Sequence, residues 1–74
     1  MGILSFLSVA TSAAKVERIV AKRLGILPIQ MTKGQKSAII DATHQGRQVG
    51  MKSDQIADMC FELVEARGKL DRLD

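Results

Sequence analysis

Apolar side chains recur at steps of three and four residues along almost the whole chain, and the recurrence breaks in only two places, around Gly25–Pro28 and at Gly50. Such steps are the period of an α-helix, whereas a strand repeats every two residues. The expected fold is therefore all-α: a small three-helix domain with helices over about residues 3–24, 33–49 and 54–72, in a single unit spanning 1–74. A chain of 74 residues has room for one modest core, and a second copy or a partner is a common way of completing one that small.

In the first helix, Phe6, Val9, Ala13, Val16, Val20 and Leu24 form one continuous apolar stripe, and Lys15, Arg18 and Lys22 fall together on another side. Residues 2–14 carry no charged side chain, and Ile3, Leu4 and Leu7 add apolar area off the stripe. Gly25 is placed to cap the helix, with Pro28 beyond it as a stop. The connection Ile26-Leu27-Pro28-Ile29, followed by Met31, is greasier than loops usually are. It is expected to run extended and to plug one end of the core.

Thr32-Lys33-Gly34-Gln35 has the spacing of a capping box, so the second helix should begin there. Its inward stripe is read as Ala38, Ala42, Gly46 and Val49, flanked by Ile39, a set small enough to let its backbone approach a neighbour. Gly50 ends it, and Ser53-Asp54 offers an N-cap and a favourably placed acid for the third helix. There Ile56, Leu63 and Leu70 are seven apart, with Met59, Ala66 and Leu73 three beyond each, the a and d positions of a heptad seam. Ala57, Phe61 and Val64 make a second apolar line. The simplest reading turns the seam toward the chain's own helices. Its alternative is a parallel homodimer, in which Glu62 and Lys69 at g meet Arg67 and Asp74 at e.

Little in the residue set supports chemistry. Ser37, Asp41 and His44 share a helix face, but His44 is two turns from Ser37, roughly 10 Å along the axis, too far to take its proton. Cys60 stands between Asp58 and Glu62, which disfavour a thiolate, so it reads as a small buried hydrophobe. One cysteine and one histidine cannot build a zinc cage, and no cofactor is expected. A lone cysteine suits a reducing compartment, the cytoplasm or the cytoplasmic face of a membrane. No enzymatic activity is expected.

With only Phe6 and Phe61 as aromatics, a stacking platform for single-stranded nucleic acid is excluded. Helix-turn-helix spacing around Gly50 would place Lys52, Asp54, Gln55 and Asp58 in the DNA groove, where two carboxylates repel phosphate. Charge is uneven: residues 1–24 hold four basic side chains against one acid, 25–50 hold three against one, and 51–74 hold four against six. The apolar surface exceeds what three short helices hide. The expected function is therefore contact, as a self-associating or partner-docking helical protein, with Ile3, Leu4, Phe6 and Leu7, then Phe61 and Val64, as the contact residues. The second expectation is peripheral membrane binding, with Lys15, Arg18 and Lys22 facing an anionic surface. DNA binding comes third.

Overall fold

The computed structural model describes residues 2–73, with side chains from residue 11 onward. Three helices account for most of it: α1 (Gly2–Leu24), α2 (Lys33–Gln48) and α3 (Ser53–Asp71), and no strand occurs among the described residues. The all-α, three-helix expectation is met, with every boundary within one residue of the expected position.

Both helix stops are glycine-closed for the same reason. At Gly25 (φ +73°) the amide of Ile26 donates to the Ala21 carbonyl and that of Gly25 to Lys22, the paired bonds of a Schellman motif. The pattern repeats at Gly50 (φ +80°), where Met51 donates to Gly46 and Gly50 to Arg47. A left-handed backbone is costly for side chains other than glycine, which is why the periodicity breaks at these two residues.

Helix starts share a second device. Gln35 accepts from the Thr32 amide at 2.9 Å while Thr32 Oγ1 accepts from the Gln35 amide at 3.0 Å, the capping box expected there. Gln55 accepts from the Lys52 amide at 3.0 Å, so α3 begins at Ser53 with Lys52 as its cap residue. Ser53 itself is not the cap. Gln30 likewise accepts from the Leu27 amide at 2.8 Å and closes a 3-10 turn over Pro28–Gln30.

That turn corrects the reading of the connection as an extended plug. Met31 is buried and Ile26 packs partly against the core, but Leu27 and Ile29 point to solvent. A single 3-10 turn places residues on all sides, so four consecutive apolar side chains cannot all face inward.

The core is built from Ala13, Val16, Val20 and Ala21 of α1, Ile39 and Ala42 of α2, and Ile56, Ala57, Cys60 and Val64 of α3. On α1 the expected stripe holds from Ala13 through Val20, with Leu24 half-buried; Phe6 and Val9 lie outside the described side chains. On α2 the buried face is centred on Gln35, Ile39 and Gly46, with Ala38 only partly covered and Val49 exposed beyond the helix end.

On α3 the inward face runs through Ala57, Cys60, Val64 and Gly68, and of the heptad seam only Ile56 is buried. Beyond Ile56 the seam therefore turns away from the chain's own helices. Close approach explains the choice. A Cβ on Gly46 would stand 2.5 Å from Ile56 Cγ1, one on Gly68 would meet the Gln35 amide, and one on Gly34 would meet the Asp71 carboxylate. Helices this close accept glycine, alanine and cysteine between them more readily than leucine.

Candidate functional site

Gly34, Gly46 and Gly68 let α2 and α3 approach closely, and Met59, Leu63 and Leu70 of α3 are left outside their interface. Met59 (50% exposed), Leu63 (58%) and Leu70 (57%) lie at steps of four and seven, with exposed Ala66 among them. Together they form one apolar line along α3. Isolated exposed leucines are ordinary on a protein surface, but a contiguous line of them is informative.

The line borders a groove of about 480 Å³ between α2 and α3. Gly34, Ala38 and Ala42 of α2 line it on one side, Met59, Leu63 and Arg67 of α3 on the other, and no described α1 residue contributes. Ser37 and Asp41 also line this groove, whereas His44 is exposed and sits 3.3 Å from the amide of Gln48. The three residues that resemble a catalytic set by type are thus divided between two environments. Cys60 lies at the groove's base, 2% exposed, with its Sγ 3.8 Å from the Ala57 carbonyl oxygen. Burial pushes its thiol up from the ordinary value, against smaller lowering effects from its backbone hydrogen bond and from Arg23. A raised pKa makes this sulfur a poor nucleophile at neutral pH.

The expected contact residues divide as well. Val64 is fully buried and belongs to the core, because it stands on the face of α3 that meets the other two helices; its side chain cannot present itself to a partner. Phe61 is half-buried against the same core. Ile3, Leu4, Phe6 and Leu7 lie on α1, outside the described side chains. Lys15, Arg18 and Lys22 are all exposed on one face of α1. Arg23, one step round the helix, instead pairs with Asp58 of α3. The groove residues Met59 and Leu63 were legible as heptad positions, but their exposure was not.

A polar clasp ties the far end of the hairpin. Thr32 Oγ1 donates to Asp71 Oδ2 at 2.5 Å, and the buried Gln35 side chain donates to the Val64 carbonyl at 3.2 Å while accepting from Thr32. Gln35 satisfies both ends of its amide in this way. Thr43 does not: its hydroxyl is fully buried and has no hydrogen-bond partner among the described residues.

Among the described residues no three His, Cys, Asp or Glu side chains converge as a metal site would require, and no helix is long and apolar enough to cross a membrane. The chain matches no family model, no curated protein and no solved structure.

Proposed function

We propose that this protein works by contact, as a small helical interaction module whose principal docking face is the α2–α3 groove and the apolar line beside it. The observation that supports this reading is the line itself. Met59, Leu63 and Leu70 are each half exposed or more, on a helix whose inward face of Ala57, Cys60, Val64 and Gly68 is already buried. Water-facing leucines bordering a groove walled on its α2 side by glycine and alanine suit an apolar helix packed against it, the usual way an amphipathic helix is recognised. The apolar positions Ile3, Leu4, Phe6 and Leu7 of α1 are a second contact region under the same reading.

A photo-crosslinking residue placed at Leu63 in the living cell tests it, with the same residue at exposed Lys36 as the comparison. A protein adduct at 63 but not at 36 is the expected result. No adduct at either position would remove the groove as a contact face.

A second reading draws on a different observation, the exposure of Lys15, Arg18 and Lys22 on one face of α1. Such a face suits peripheral attachment to an anionic membrane surface. Co-sedimentation with phosphatidylserine vesicles, lost when all three become glutamate, is the outcome that would favour it. For DNA binding, Asp54 and Asp58 remain exposed at the start of α3, so that reading stays the weakest of the three.

A further inference from the structure

We propose that the apolar line beside the α2–α3 groove is covered by α3 of a second copy of this chain, lying antiparallel about a two-fold axis that passes alongside α3 at the level between Val64 and Glu65. The proposal rests on the groove and its apolar border being a contact face and adds what covers that face.

The apolar line is self-complementary in that arrangement. A two-fold axis at this level sets Leu63 against the partner copy's residue 66 and Met59 against its residue 70, so a large side chain meets a small one at the centre and two large ones meet on either side. The exposed line is thereby covered along most of its length.

Charges on both flanks then fall into opposite pairs. On the flank away from α2, Glu62 and Lys69 are both exposed, and antiparallel packing brings each beside the other's counterpart. On the α2 flank the level of each residue can be read from the hairpin. Gly34 sits against Asp71 and Arg67, and Gly46 against Ile56, so Asp41 stands about level with residue 61 of α3. The partner copy's residue 67, an arginine, arrives at the level of residue 62. Arg67 of each copy therefore reaches Asp41 of the other, and both residues line the groove.

A parallel pairing satisfies Glu62 with Arg67 but places the partner copy's residue 62, a glutamate, beside α2 near Asp41. Two carboxylates would then face each other across the interface. The sequence alone favours the parallel arrangement because it does not reveal that α2 occupies one flank of the seam.

Sedimentation equilibrium of the purified full chain at about 0.1 mM provides the test. A dimer is expected, and Leu63→Glu should give a monomer that keeps its helical circular dichroism; Leu63→Ala, a milder change at the same exposed site, should weaken dimerisation without affecting the fold. Orientation is read by charge exchange. Glu62→Lys and Lys69→Glu should each weaken dimerisation about tenfold, and the two together should restore it to within about threefold, because only the antiparallel arrangement sets these positions against each other. A wild-type monomer overturns the second-copy proposal. If a Leu63 adduct to a different protein then appears in cells, the contact reading survives while this one falls. A dimer that the double exchange fails to restore, or one indifferent to Leu63→Glu, overturns the interface described.

Discussion

At the scale of single residues, two buried groups carry measurable consequences. The Thr43 hydroxyl is sealed in the core without a hydrogen-bond partner among the described residues, so it bears a desolvation cost with nothing to offset it. Thr43→Val keeps the shape and removes the polar atom. The expected outcome is a gain of about 1 kcal/mol in urea unfolding, and an unchanged or lowered midpoint would mean the hydroxyl is satisfied after all. Cys60 gives a pH dependence. Its folded thiol holds a proton more tightly than the unfolded chain does, so the stability it contributes is whole below the unfolded value, about 8.5, and is lost as pH rises through the raised folded value. Denaturation midpoints from pH 7 to pH 10 should fall more steeply for the native protein than for Cys60→Ala. Parallel slopes would contradict that assignment.

The elements show where local rules and tertiary packing agree and where they part. Gly25, Gly50 and the Thr32–Gln35 box were legible because each is a local device: a positive φ or a three-residue hydrogen bond is written in neighbouring residues. The face of α3 was not. Hydrophobic periodicity weights Leu63 and Leu70 heavily and directs them inward, whereas the face of α3 that meets the other helices carries Ile56, Ala57, Cys60, Val64 and Gly68, with Gly46 and Gly68 making room for the longer Ile56 and Gln35 side chains. The same constraint makes the helical glycines testable. Gly46→Ala should improve intrinsic helix propensity by about 1 kcal/mol, yet its methyl would collide with Ile56, and overpacking costs about 1–3 kcal/mol. Net destabilisation in urea is expected, and a more stable variant would show that Ile56 can move aside. Removing the polar clasp should also be felt: Gln35→Ala strands the Thr32 amide and takes a bond from the Val64 carbonyl, for an expected loss of about 1–3 kcal/mol by the same measurement. The Arg23–Asp58 pair, largely in solvent, should matter far less.

For the whole molecule, the decisive property is how its surface is divided. One long side of the α2–α3 hairpin is packed under α1, and the other carries the groove and its apolar border. Phe61 and Val64, expected to face a partner, serve the first side, and Met59, Leu63 and Leu70 hold the second. Sequence order cannot separate these sets, since they interleave along one helix and only the placement of α2 tells them apart. If a second copy covers the groove, folding and association are linked, and the thermal midpoint should rise with protein concentration. Leu63→Glu should abolish that dependence. A midpoint independent of concentration in the native chain would leave the fold self-sufficient.

The clasp between Thr32 and Asp71 joins residues 39 apart and sits at the last turn of α3. Mechanically it is a latch. A pull on the C-terminal end loads this bond and the Gln35–Val64 bond before it reaches Cys60 or Ile56, so unfolding under force should begin by peeling α3 from that end, with Asp71→Ala lowering the first resistance and leaving the rest unchanged.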